Sequence, residues 1–306
     1  MPDPPSGRQF EIARGTQQAV VTEVGATLRR YRAGDLEALD GFEIDEMCSA
    51  GRGQPLLPWP NRIRDGRYRF AGVDYQLPIN EVERGNAIHG LVRWNAWQPR
   101  EHTGERLLMQ HRLHPEQGYP FDLDLTIEYS LSEDGLTVTM TAVNLGAGPC
   151  PFGAGAHPYL KVGGEVIDSA TLQLPAASRL EADERAIPVR RSSVEGTQFD
   201  FLAPREIGST ALDTGYADLR RGPDGRARAV LSAPGGPTLT LWADESYPYL
   251  MVFTGDPLEP ARRRRGLAIE PMTCPPNAFQ TGEALLVLQP GERFTGSWGI
   301  TPDLTP

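Results

Sequence analysis

Leu123-Asp-Leu-Thr-Ile-Glu-Tyr-Ser-Leu-Ser132-Glu-Asp-Gly135-Leu-Thr-Val-Thr-Met-Thr-Ala142 decides the fold class. Leu123, Leu125, Ile127, Tyr129 and Leu131 occupy every second place, with mostly polar residues between them. Leu136, Val138, Met140 and Ala142 repeat the pattern against Thr137, Thr139 and Thr141. A period of two sends alternate side chains to opposite faces of a strand. The threonines favour a strand by type as well as by spacing. Ser132-Glu-Asp-Gly135 has turn composition, so the stretch predicts a β-hairpin with one buried face.

Working outward, further strands are expected at 19–24, 67–70, 74–77, 227–231, 238–242, 249–254, 267–270, 284–288 and 293–300. In the last of these Phe294, Trp298 and Ile300 share one phase. Short turns such as Phe70-Ala-Gly-Val73, Ala233-Pro-Gly-Gly-Pro237 and Gln289-Pro-Gly-Glu292 separate many of them. No segment longer than about ten residues carries a helical period, and 182–186 is expected to form at most one helical turn. The pattern predicts an all-β antiparallel architecture, a sandwich or a barrel. No linker-like segment divides the chain, so residues 1–306 are expected to form one domain with flexible tails at 1–8 and 302–306. The weakly apolar stretch 175–198 is expected to be a long excursion from it.

The formal net charge of -10 argues against a nucleic-acid partner. The run Arg262-Arg263-Arg264-Arg265 is expected to be a solvated loop. Three cysteines, Cys48, Cys150 and Cys274, lack metal-ligand spacing and are odd in number, so neither a zinc site nor a disulfide framework is expected. The start, Met1-Pro-Asp-Pro-Pro-Ser-Gly-Arg8, has no apolar stretch of the signal-peptide kind. No run approaches the ~18 apolar residues of a membrane span. A cytoplasmic protein without a membrane partner is expected. Phosphate-cradling loops, a dinucleotide fingerprint and a His-Glu-x-x-His pattern are not seen, so no cofactor and no metal are expected.

Of five histidines, His102, His111 and His114 read as surface residues. His157, in Gly153-Ala-Gly-Ala-His157-Pro-Tyr159-Leu160, stands on small residues with an aromatic two places on. That suits a sugar, whose apolar face stacks on rings; a hydrogen-bonded structural histidine reads equally well. His89 precedes Gly90, which permits close approach, and Trp94 offers a second stacking surface. A loop histidine bonded to backbone is its plainer reading. Glu270 ends the apolar run Gly266-Leu-Ala-Ile269. A buried carboxylate is costly unless it is paired or working, so it is either a base of raised pKa or the partner of an arginine among 262–265. Arg62 is either a fixed donor for hydroxyls or a solvated loop arginine. Asp213 is either an acceptor for sugar hydroxyls or a turn residue.

Taken together, these segments resemble the aldose 1-epimerase (galactose mutarotase) family. Asn61-Arg62-Ile63 with Asp65-Gly66 is similar to its Asn-Arg-Ile segment, and Asn86-Ala-Ile-His89-Gly90 to its Leu-His-Gly element. His157-Pro158-Tyr159 resembles its His-x-Tyr strand, and Leu212-Asp213 its internal aspartate segment. Glu270-Pro271 with Pro275-Pro276-Asn277-Ala278 resembles its late Glu…Pro-x-x-x-Asn segment. Residues 182–188, 196–201 and 204–208 are similar to the bacterial branch that includes sulfosugar mutarotase-like proteins. The likeness runs from Gln17 to Gly291 in order. The chain departs from better-known members at Leu57-Pro58-Trp59-Pro60, where they carry an earlier arginine.

The resemblance implies a large twisted antiparallel β-sandwich of the galactose mutarotase-like kind, monomeric or dimeric. It also implies a small-molecule sugar bound in an open cleft, without metal or cofactor. It implies a mutarotase, with Glu270 as general base, His157 as general acid, and Arg62, His89, Asp213, Asn61, Trp94 and Tyr159 holding the sugar. His157 and Glu270 are expected to face one cleft across a gap the size of a pyranose ring. A hexose-6-phosphate epimerase using Arg64, Arg67 or Arg93, and a non-catalytic sugar-binding protein, are the alternatives.

Overall fold

The computed structural model describes residues 3–305. The decisive hairpin forms as Leu123–Ser132 and Gly135–Asn144, with Leu123 opposite Asn144 and Ser132 opposite Gly135. Its apolar positions are buried in strict alternation. These two strands lie inside a nine-stranded antiparallel sheet. On one side they meet Arg106–Leu113 and then Gln98–His102. On the other they meet Arg293–Asp303, Thr238–Ala243, Ala227–Ser232, Thr171–Gln173 and Arg205–Glu206. Phe294, Trp298 and Ile300 all point inward.

A second sheet has eight strands, running from Pro188–Ser193 through Ala176–Ala182, Asp213–Leu219, Tyr249–Phe253 and Leu267–Met272 to Gly155–Ala156 and Pro55–Leu56. Tyr159–Leu160 also pairs with Leu267–Met272. A four-stranded sheet at the start, Gln9–Arg14 to Leu36–Glu37, packs on the same core. One contiguous apolar cluster joins Ile12 and Val21, Ile127 and Val138, and Val252 and Ile269. This is the all-β, twisted antiparallel sandwich expected.

Leu267–Met272 is buried at all six positions. A strand covered on both faces reads as an apolar run without alternation, which explains why Gly266-Leu-Ala-Ile269 carries no period of two. Glu270 sits in that run and is drawn into the interior with it.

Five expectations need correction. Residues 182–186 are the turn between Ala176–Ala182 and Pro188–Ser193, not a helical turn. Much of the supposed excursion at 175–198 is that hairpin, an edge of the eight-stranded sheet; its alternation is masked by serine, arginine and alanine. The tails are shorter than expected. Pro302 and Asp303 extend the last strand opposite Leu239 and Thr238, and Arg8 is tied to Glu23 at 3.1 Å; Met1, Pro2 and Pro306 lie outside the described residues. Arg264 is not solvated. It is buried and donates to Asp168 (2.6 Å), Asp256 (2.9 Å) and the carbonyl of Gly208 (2.6 Å). His111 is likewise half-buried, its ring held by Asn95 and the Ala96 carbonyl.

Candidate active site

Strand register brings His157 to Glu270. Gly155 stands opposite Met272 and Tyr159 opposite Ala268. The gap between those two short strands is His157-Pro158, and it falls opposite Glu270 and Ile269. Proline supplies no donor to a ladder. Here the Pro158 carbonyl accepts from Ile269 N–H at 3.2 Å, while His157 turns its own N–H to the Gln54 carbonyl at 3.1 Å. The histidine thus leaves the ladder and its ring projects against the carboxylate opposite.

His157 Nε2 lies 3.3 Å from Glu270 Oε1. Both residues are buried, and His157 Nδ1 and Glu270 Oε2 have no hydrogen-bond partner among the described residues. They lie in a cleft of about 300 Å³ that also takes in Asn61, Arg62, His89, Trp94, Tyr159 and Asp213. All eight residues singled out from the sequence therefore meet in one place. The gap between His157 and Glu270 is much smaller than a pyranose ring, which corrects the expected spacing.

Arg62 is clamped rather than solvated. Its Nε donates to both Glu81 oxygens at 3.0 and 3.1 Å, and its Nη2 lies 3.9 Å from Asp213. Arg84 Nη1 lies 3.7 Å from the same Asp213 oxygen. Asn61 has a positive φ of 54° and its side-chain oxygen accepts from the Arg62 N–H at 3.0 Å. Its own N–H donates to His89 Nδ1 at 3.2 Å, and His89 N–H returns a bond to its carbonyl at 2.9 Å. The backbone and the side-chain oxygen of Asn61 are thus committed to the scaffold. Trp94 is half exposed and offers its ring at the mouth.

Tyr159 also departs from expectation. One face of its ring stacks on His157, with centroids 5.0 Å apart and planes 12° apart. The Arg52 guanidinium covers the ring at 4.5 Å. The hydroxyl donates to the Ala50 carbonyl at 3.0 Å. With its ring engaged on His157 and Arg52, Tyr159 has no free face for a sugar.

Sequence reasoning missed Glu81, Arg84, Arg52 and Asp40. Glu81 is the anchor of Arg62, yet it sits in an ordinary polar loop, Asn80-Glu-Val82. No local signal separates it from a solvated glutamate.

The ligand atoms of His89, His157 and Glu270 lie within 4.8 Å of one another, a spacing that invites a metal. The tautomer of His89 speaks against one. Its Nδ1 accepts the Asn61 N–H, so in the neutral ring Nε2 carries the proton. Burial, and then Arg93, His157 and Arg62, hold that ring well below the ordinary histidine range, so it is neutral. Its Nε2 is a donor, suited to a hydroxyl oxygen and not to a cation.

Burial raises Glu270 well above the ordinary carboxylate range; the Asp213 charge pushes the same way and Arg62 opposes it. Burial lowers His157 to about 3, with Arg93, Arg52 and Arg62 acting in the same direction. Both shifts disfavour charge in a dry site. Burial therefore favours the uncharged form of the pair, a protonated Glu270 facing a neutral imidazole.

This sets a pH dependence of stability. His157 binds fewer protons folded than unfolded below its ordinary 6.5, so it costs stability as pH falls from there toward about 3. Glu270 binds more protons folded than unfolded above its ordinary 4.5, so it costs stability as pH rises from there toward its folded value. From 4.5 upward the two contributions have opposite signs: the histidine contribution rises with pH and the glutamate contribution falls. Urea denaturation across pH should show Glu270→Gln losing the fall of stability with rising pH that the buried carboxyl brings to the wild type. Parallel curves for the two proteins would contradict the assigned protonation.

Among the described residues no helix is long and apolar enough to cross a membrane. The sequence pattern of the aldose 1-epimerase family matches residues 8–301. The YihR protein of Escherichia coli K12 is 35% identical, over 94% of this chain and 91% of its own. The aldose 1-epimerase of the same organism is 28% identical over 95% and 94%. In fold, the chain is similar to the crystal structure of the GalM/aldose epimerase homologue from C. elegans. The TM-score is 0.87 at 21% identity, over 98% of this chain and 99% of that one. A family pattern spanning nearly every residue, on the expected sandwich and around this cleft, leads to one conclusion: the chain belongs to the aldose 1-epimerase family and is an isomerase of that class.

Proposed function

We propose that the protein is an aldose 1-epimerase that interconverts the α and β anomers of a free aldose by general acid–base catalysis. The observation that carries this is the buried 3.3 Å contact between His157 Nε2 and Glu270 Oε1 on the wall of the cleft. Ring opening requires two proton movements at one carbon. Glu270 takes the proton of the C1 hydroxyl as the C1–O bond of the ring breaks. The ring oxygen receives the bonding pair and takes a proton from His157. The aldehyde rotates about C1–C2. The ring oxygen then attacks the other face, returning its proton to His157, while Glu270 returns its own to the new C1 hydroxyl.

The reactive arrangement has Glu270 ionised and His157 protonated. It contains the same single proton as the resting pair. Moving that proton across the contact needs no exchange with solvent, and a substrate hydroxyl donating to the carboxylate favours the move. Asp213 accepts hydroxyls at the cleft, Arg62 donates from its fixed position, His89 Nε2–H donates toward the reacting end, and Trp94 stacks on the apolar face of the sugar.

One observation favours a second substrate class. Arg93 lines the cleft half-buried; its Nη1 donates to Gln54 at 3.1 Å and its Nε has no partner among the described residues. A sugar phosphate would use that guanidinium. Arg64 and Arg67 do not line the cleft and are engaged by Asp183 and Gln76, so they are poor candidates.

Polarimetry on a panel of freshly dissolved aldoses tests the reading. At least one should reach anomeric equilibrium much faster with the enzyme than in buffer alone. Buffer rates across free aldoses, with acceleration confined to hexose phosphates and suppressed by inorganic phosphate, would move the assignment to the second class. Buffer rates for both would overturn it.

A further inference from the structure

An acid–base histidine is usually aimed by a hydrogen bond on its second nitrogen. His157 has none: Nδ1 is buried without a partner among the described residues. Its aim toward Glu270 must come from what packs on the ring. His89 meets it edge-on, with centroids 5.3 Å apart and planes 76° apart. At Gly51 an added Cβ would stand 2.7 Å from His157 Cδ2, so the backbone closes that edge too. The flat face rests on Tyr159, at 5.0 Å and 12°.

Tyr159 is itself held. The Arg52 guanidinium lies over its ring at 4.5 Å. Arg52 is almost wholly buried and bound by Asp40, with Nε at 3.2 Å and Nη2 at 3.1 Å from Oδ2. Asp40 is buried as well, and its other oxygen faces Arg265 Nε at 3.4 Å and Arg262 Nη1 at 3.8 Å. The backbone joins the same group: Asp40 N–H donates to the Tyr159 carbonyl at 2.9 Å, and Gly53 N–H to the His157 carbonyl at 2.9 Å. A planar guanidinium on an aromatic face is a rigid contact that an ammonium does not reproduce. A carboxylate, a guanidinium, a phenol ring and the imidazole therefore form one stack, and its free end faces Glu270.

We propose that Asp40, Arg52 and Tyr159 form a clamp that holds the His157 ring in plane with Nε2 toward Glu270, making Arg52 and Tyr159 positioning residues for the acid. The proposal rests on the reading of His157 as that acid. It also gives the arginine run at 262–265 a use: Arg262 and Arg265 complete the cage around Asp40.

The test uses the full chain, the aldose that responds best by polarimetry, and NMR of the His157 ring in histidine-labelled protein. Tyr159→Phe keeps the ring and loses only the bond to the Ala50 carbonyl, so its kcat and ring signals should lie closer to wild type than those of Tyr159→Leu. Tyr159→Leu removes the stacked face. Its kcat should fall about ten- to a hundredfold, as expected for a misplaced catalytic group, with KM little changed and the His157 signals shifted or broadened. Arg52→Lys keeps the charge beside Asp40 without the flat face and should give an intermediate loss of the same kind. If Tyr159→Leu does not fold, Arg52→Lys decides in its place. Wild-type kcat and unchanged ring signals in folded Tyr159→Leu and Arg52→Lys would overturn the clamp. So would a rise in KM with kcat intact, which would make Tyr159 a sugar contact after all. If His157→Ala is itself fully active, the acid assignment fails, and the ring signals still report on the clamp.

Discussion

Glu270→Gln is expected to lower kcat by about 10²–10⁴ while leaving the protein folded. The amide is close in shape to the protonated carboxyl that burial favours, so the fold loses little. It cannot accept the C1 hydroxyl proton, so ring opening loses its base. His157→Ala should fall by a comparable factor, because the ring oxygen would then leave as an alkoxide without a donor. The double variant should be little slower than either single one, since residues that act as one unit are not additive. Polarimetry with stopped sampling gives all three rates, and circular dichroism checks the folds. Wild-type rates in both folded single variants would remove the pair from the reaction.

Gly90→Ala is expected to destabilise the protein by about 3 kcal/mol or more. Gly90 has a φ of +71°, where a side chain is already disfavoured, and its neighbour His89 has +64°. A Cβ at Gly90 would stand 1.9 Å from the Leu57 carbonyl oxygen and 2.4 Å from its carbon. Both atoms are backbone, and that carbonyl also accepts from Leu91 N–H at 2.8 Å. Neither side can yield without moving the segment that carries His89 and, through its paired bonds, Asn61. Urea denaturation measures the loss; an unchanged midpoint would mean that the segment gives more easily than its contacts imply. Any folded fraction should also bind substrate poorly, since the His89 donor is displaced.

Much of the fold was legible because burial in a sheet leaves a local trace. The hairpin at 123–144 and the strand ending the chain alternate in sequence as they do in space. Where the trace was weak, the cause is specific. Ala176–Ala182 and Pro188–Ser193 form an edge hairpin whose residues are too polar to mark a buried face. Leu267–Met272 is buried on both faces, so it marks apolarity without a period. Arg264 looked solvated because its partners, Asp168 and Asp256, lie elsewhere in the chain.

By itself the amino-acid sequence determined the all-β class, most strand positions, and the residue types able to bind a sugar and move its protons. Each of these is a property of a residue and its near neighbours: side-chain polarity, turn chemistry, the charge an imidazole or a carboxylate can carry. Only the tertiary structure decided how the residues divide their work. The register of an interrupted ladder set His157 against Glu270. The burial that came with it moved both proton affinities. Packing set the Tyr159 ring between His157 and Arg52. Distance, dielectric and the choice of partner depend on chain segments more than a hundred residues apart, and no local pattern carries them.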